Sequence, residues 1–236
     1  MKNRNKIILI TGTRKGIGRI LAEYYLSMGH IVIGCSRENS DLINANYKHF
    51  NCDVSEEKDV LEIFKQIRSD YGRLDVLINN AGLASLNHIL LTPTSTVKKL
   101  FDTNLLGTFL FSREAAKLMK KNNFGRIINF STVAVPLSLE GETIYAASKS
   151  AVEQLTKNMA KELGTLGITI NAIGPTPIET DLIKTVPKDK INKLLESQSI
   201  QRFGTFDDVI NLIDFFISEK SNFITGQVIY LGGVVK

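Results

Sequence analysis

Tyr145 and Lys149 stand four residues apart in Tyr145-Ala146-Ala147-Ser148-Lys149, inside a helix-favouring stretch, 144–163, that stops at Gly164. Glycine there suits a left-handed C-terminal cap. On a helix this spacing puts both side chains on one face, about one turn apart. An ammonium beside a phenol favours the phenolate, so Lys149 is expected to lower the Tyr145 pKa. A tyrosine tuned in this way can exchange a proton near neutral pH. Alone the pair says little, because tyrosine and lysine four apart are common on solvated helix faces.

The elements that must position this pair follow from the hydrophobic pattern. Apolar runs at 6–11, 31–35, 47–52, 74–79, 126–131, 168–173 and 227–231 read as strands. Ile7-Ile8-Leu9-Ile10 and Val76-Leu77-Ile78 are apolar on consecutive positions, as in strands buried on both faces of a parallel sheet. Helices are predicted at 17–28, at about 103–121 and at 144–163. Another is expected from a Ser55 cap to Gly72, with an apolar stripe of Val60, Leu61, Ile63, Phe64 and Ile67. A last one follows Thr205, with Asp208 in a capping-box position. This alternation predicts an α/β fold: a doubly wound parallel sheet of about seven strands, in a single domain over 1–236. Ligands then belong at the carboxyl ends of the strands. The segment 174–201, with Pro175, Pro177 and Pro187, is expected to form a flap over the pocket.

Composition excludes several classes of function. Hydrophobic residues make up 43% and charged residues 22% of 236, which suits a soluble globular protein without disulfide or metal support. Cys35 and Cys52 suggest neither a disulfide framework nor a metal site, and His30, His49 and His88 lack metal-ligand spacing. His88 falls near the expected pocket mouth. The apolar run after the basic N-terminus is too short for a signal peptide or a membrane span, so a cytoplasmic protein with no membrane partner is expected. The net charge of +5 is scattered over helix faces, which argues against nucleic acid and is compatible with an anionic substrate or cofactor.

Strand one runs into Thr11-Gly12-Thr13-Arg14-Lys15-Gly16-Ile17-Gly18, followed by a helix. Glycines at this junction permit a tight turn and close backbone approach, and the helix N-terminus offers amides to a pyrophosphate. The spacing is not that of a P-loop. An acid normally ends the second strand in NAD-binding sheets; here the end is Cys35-Ser36-Arg37. With Arg14 and Lys15 nearby, Ser36 and Arg37 predict NADP(H) in preference to NAD(H).

The glycine loop, Asn79-Asn80-Ala81-Gly82, Asn104 and Tyr145-x-x-x-Lys149, in this order and spacing over essentially the whole chain, resemble the short-chain dehydrogenase/reductase family. The resemblance implies a Rossmann-type domain and hydride transfer between a nicotinamide and a carbonyl or alcohol. It implies cofactor contacts from Gly12, Thr13, Arg14, Lys15, Gly16, Ile17, Gly18, Asp53, Val54, Asn80, Ala81, Gly82, Pro175, Ile178 and Thr180. Asn104, Tyr145 and Lys149 match the family's catalytic positions, with Lys149 also holding the nicotinamide ribose and Asn104 a water for reprotonation. The tail from Arg202 to Gln227 resembles the family's reductases, including those acting on 3-oxoacyl groups of acyl carrier protein.

Departures from the pattern are informative. The catalytic serine of the family lies thirteen residues before the tyrosine, where this chain has Thr132, with Ser131 one earlier. Spacing favours Thr132 and residue type favours Ser131; either hydroxyl could orient a substrate oxygen. Pro175-Thr176 replaces Pro-Gly, and the link from Arg37 to Lys48 is too short for a full crossover helix. The expected reaction is NADPH-dependent carbonyl reduction, with a 3-oxoacyl thioester or a sugar or polyol ketone as candidate substrates, free or carrier-bound. A non-catalytic NADP(H)-binding regulator is the alternative on the same fold. Residues 83–91, 133–143 and the flap are expected to form the pocket. The family implies a homotetramer or homodimer, to which Val152, Leu155 and Met159 could contribute unless they face the sheet.

Overall fold

In the computed structural model, which describes residues 5–179, 183 and 186–234, β1 (Ile7–Thr11) lies inside the sheet, third from one edge. With β2 (Ile31–Ser36), β3 (Tyr47–Asn51), β4 (Val76–Asn79), β5 (Gly125–Phe130), β6 (Ile168–Gly174) and β7 (Val228–Tyr230) it forms seven parallel strands in the order β3-β2-β1-β4-β5-β6-β7. The order reverses beside β1, so a crevice opens past the carboxyl ends of β1 and β4.

Consecutive apolar residues serve both faces. Ile7, Leu9, Leu77 and Ile127 pack into one cluster, against α2 (Glu57–Tyr71), α4 (Gly107–Met119) and α6 (Thr143–Leu163). Ile8, Ile10, Val76, Ile78 and Ile128 pack into the other, against α1 (Gly16–Ser27) and α8 (Phe206–Ile217). Each such side chain contributes about 1.5–3 kcal/mol by leaving water. Val152 is fully buried on the sheet side of α6.

Several boundaries differ from expectation, each for a local reason. The predicted 103–121 helix is longer and broken: α3 (Thr94–Phe101), a π-helical turn (Asp102–Leu106), then α4. Helix α2 is capped at Glu56, because the Ser55 hydroxyl and amide are both spent on Asp53 Oδ1, at 2.7 and 3.0 Å. Leu61 stands 45% exposed outside the buried stripe of Val60, Ile63, Phe64 and Ile67. Helix α6 does not end in a left-handed Gly164, which has φ −58° and opens a 3-10 turn. The left-handed residue is Gly167, at φ +71°, where a Cβ would stand 2.1 Å from Asn123 O. The capping box at the start of α8 forms: Asp208 N donates to Thr205 Oγ1 at 3.2 Å and Thr205 N to Asp208 Oδ2 at 2.8 Å. Between β2 and β3 runs a loop, tied to α1 by the Arg19–Asp41 ion pair. Among the described residues no helix is long and apolar enough to cross a membrane.

Candidate active site

The glycine loop is a cradle that side chains would fill. Gly12 and Gly16 take φ +78° and +62°, values that disfavour any other residue. A Cβ on Gly18 would stand 2.3 Å from Gly12 O and 2.4 Å from Asn80 Nδ2, so α1 starts in contact with the loop. No side chain caps α1, and its first turn carries no acid, leaving this N-terminus suited to an anion. Asn80 Nδ2 braces the turn by donating to Thr11 O at 2.9 Å, and Ala81 N donates to Thr11 Oγ1 at 2.9 Å. These contacts join the ends of β1 and β4 into one surface. Thr13 is fully buried, and its hydroxyl pairs with Tyr47 OH at 2.9 Å, which anchors the loop to β3.

At the end of β2, Ser36 Oγ donates to Glu38 O at 2.7 Å, and Arg37 is exposed. Arg14 pairs with Glu38 at 2.9 Å, both side chains being largely exposed. This carboxylate lies one residue past Arg37, beyond the strand end at which an acid is expected. Burial pushes the Asp53 carboxyl up, but Ser55, Arg37 and Lys99 outweigh it and hold the group below the usual carboxylate range. Val54 is buried against Gly107.

The chemistry-bearing side chains meet where the π-helical turn faces α6. Asn104, fully buried in that turn, receives Leu83 N on Oδ1 at 2.8 Å. Its Nδ2 donates to Leu83 O and to Ser148 Oγ, both at 2.9 Å. Ser148, absent from the sequence reading, passes the bond on to Tyr145 O at 2.7 Å. A Cβ on Gly82 would stand 3.3 Å from both Asn104 Oδ1 and Lys149 Nζ, which puts Gly82 directly over them. Lys149 is 5% exposed, and its Nζ donates to Phe130 O at 2.8 Å. Burial pulls its ammonium down to about 8.

Tyr145 reverses an expectation. Burial pushes its phenol up to about 12, the Thr132 hydroxyl works in the opposite direction, and Glu142 adds to the rise. Lys149 does not lower it, because the ammonium is directed at the Phe130 carbonyl. The two hydroxyls upstream also separate. Ser131 Oγ donates to buried Glu153, which also accepts from Tyr230 OH at 2.7 Å. Of the two, Thr132 is the hydroxyl that acts on the Tyr145 phenol.

Beyond β6, Thr176 is buried, with its methyl 2.7 Å from where a Cβ on Gly204 would stand. Ile178 is 5% exposed, in the same core cluster as Ile173 and Ile210, and its backbone bridges to Gly204. Both residues are fixed against Gly204 just beyond β6. Thr180 lies outside the described residues. His88 Nδ1 accepts from Leu90 N at 3.3 Å and caps a short turn. A cavity of about 410 Å³ is lined by Thr176, Arg202, Asp208, Asn211, Phe215 and Leu231. It includes none of Tyr145, Thr132 and Lys149, so the site is placed by the proton-carrying groups and not by that cavity.

A dinucleotide cradle at the switch point of a parallel sheet, beside a half-buried tyrosine and a buried lysine, defines a nicotinamide-dependent oxidoreductase. A family model described as enoyl-(acyl carrier protein) reductase matches residues 12–234. The chain belongs to the short-chain dehydrogenase/reductase family. It is 31% identical over 239 residues to the 3-oxoacyl-[acyl-carrier-protein] reductase FabG of Escherichia coli (strain K12), covering 99% of this chain and 98% of that one. Among solved structures it resembles ElxO with NADP bound, with TM-score 0.89, 34% identity and coverage of 98% of both chains. It also resembles 4-hydroxyisoleucine dehydrogenase complexed with NADH, with TM-score 0.86, 31% identity and coverage of 97% of both chains.

Proposed function

We propose that this chain is an NADPH-dependent carbonyl reductase in which Tyr145 delivers the proton. The observation that carries the reading is a Tyr145 phenol on which the Thr132 hydroxyl acts, one turn before a buried Lys149 on the same helix. A phenol held near 12 stays protonated at neutral pH and can give its proton to a developing alkoxide. Thr132 sits where it would donate to the same oxygen, stabilising charge as it develops. Lys149 titrates close to the working pH and would return a proton to Tyr145. Asn104 and Ser148 fix the backbone of Leu83 and Tyr145 around this group, and so act as positioning residues.

A reduced nicotinamide, when bound, supplies the hydride. The glycine cradle and the α1 N-terminus would hold its pyrophosphate, and Asp53 with Val54 would face the adenine. Arg14 and Arg37 would receive a 2′-phosphate, which supports NADP(H) over NAD(H). The loops around Gly141 and α7 (Lys188–Glu196) would close over the substrate, and a homo-oligomer is the expected assembly.

The test is Tyr145→Phe. Its kcat for NADPH-dependent carbonyl reduction is expected to fall at least about 1,000-fold, while the Kd for NADPH by fluorescence titration changes less than about 3-fold. Substantial residual turnover would refute the role given to Tyr145.

A further inference from the structure

Glu142 stands three residues before Tyr145, at the N-cap of α6, but its carboxylate caps nothing. It is half-buried, and no described residue hydrogen-bonds or ion-pairs with its side chain. Three residues apart at the start of α6, Glu142 and Tyr145 fall on one helix face, and the carboxylate's charge bears on the phenol. Three segments meet beside it, at Gly141. Asn87 N donates to Gly141 O at 2.8 Å, and a Cβ on Gly141 would stand 2.9 Å from Leu86 Cδ1 and 3.7 Å from Lys190 Nζ. Lys190, on α7, moderates the effect of burial on Glu142 without pairing to it. A carboxylate this enclosed, with no donor of its own, is costly unless something arriving later supplies one.

We propose that Glu142 determines specificity by accepting a hydrogen bond from a donor group, hydroxyl or ammonium, that the substrate carries next to its reacting carbonyl. The assignment rests on Tyr145 being the proton donor. It separates the candidate substrates on chemical grounds. A 3-oxoacyl thioester offers only methylenes and a second carbonyl around the reacting carbon, and a carbonyl oxygen facing a carboxylate is repelled. A hydroxy- or amino-ketone presents a donor, and its bond to a charged acceptor is among the stronger ones.

The test measures NADPH oxidation by the full chain with four small ketones. These are 2-butanone, 3-hydroxy-2-butanone, 3-amino-2-butanone and the N-acetylcysteamine thioester of acetoacetate. The quantity read is kcat/KM for each ketone relative to 2-butanone. The wild type is expected to favour a ketone bearing a donor. Glu142→Leu should cut that preference on the order of 10- to 100-fold, chiefly through KM. Glu142→Gln, which keeps an acceptor but loses the charge, should retain most of the preference for the hydroxyketone and lose that for the aminoketone, so it tells the two donors apart. A preference unchanged in Glu142→Leu overturns the assignment, as does a wild type that favours the thioester. Equal losses on all four ketones overturn it too, as the mark of a structural role. Turnover of none of the four by the wild type overturns the carbonyl-reductase reading beneath it; failure of the assignment alone leaves turnover intact.

Discussion

Lys149 is held where its charge is least welcome. Its ordinary value of 10.5 falls to about 8 in the fold because burial disfavours the ammonium. The gap corresponds to about 3 kcal/mol of stability forgone at neutral pH. The sign follows from proton counting. Between about pH 8 and 10.5 the unfolded chain binds the proton and the folded chain does not, so stability rises with pH across that window. Below pH 8 the full penalty is present. Lys149→Met should therefore stabilise the protein in urea titrations at pH 7, by up to about 3 kcal/mol less the lost bond to Phe130 O, with the advantage vanishing by about pH 10.5. A destabilised variant at pH 7 would contradict this account. At the other end of the site, Glu38 occupies the guanidinium that a 2′-phosphate would need. Glu38→Gln is expected to tighten NADPH binding about 3- to 10-fold and leave NADH within about 2-fold, by fluorescence titration. Weaker NADPH binding in that variant would show that Glu38 supports the site instead.

At the scale of elements, the capping box of α8 gives the plainest prediction. Thr205→Ala removes one acceptor from the first turn and should cost about 1 kcal/mol in chemical denaturation, with Thr205→Ser recovering most of it. That box was legible in the sequence because its two residues are three apart. The strands were legible too, since runs such as Ile7-Ile8-Leu9-Ile10 are buried on both sides. What local pattern could not show were features decided across the fold. The π-helical turn at Asp102–Leu106 keeps a helical appearance in sequence while shifting the register, and it is this turn that holds Asn104 inward. Ser131 is drawn to Glu153, more than 20 residues downstream on α6, a partner that the spacing of Ser131 and Thr132 could not show. The Tyr145–Lys149 spacing was read correctly as one helix face, but the destination of the ammonium, a carbonyl on β5, required the third dimension.

For the whole molecule, the sheet is unevenly supported. Strands β1, β4, β5 and β6 are buried along their whole length, whereas β3 is half-buried and ends exposed at Asn51. It sits at one edge of the sheet, paired with β2 alone and connected to it by a loop in which Ile43 is 95% exposed. That loop is fastened from outside, by Arg14–Glu38 and Arg19–Asp41. Exposed ion pairs of this kind add little and weaken with salt. The loop between β2 and β3 thus sets the order in which the molecule breathes. Amide hydrogens of β3 should exchange with solvent by sub-global opening, well before those of β1 and β4. Adding salt should hasten exchange there and nowhere in the central strands. A nucleotide bridging the glycine cradle and Arg37 would span the same seam, so hydrogen–deuterium exchange with and without NADPH should show slowing concentrated in β3 and its loop. Uniform protection across all seven strands would mean that the sheet opens only as a unit.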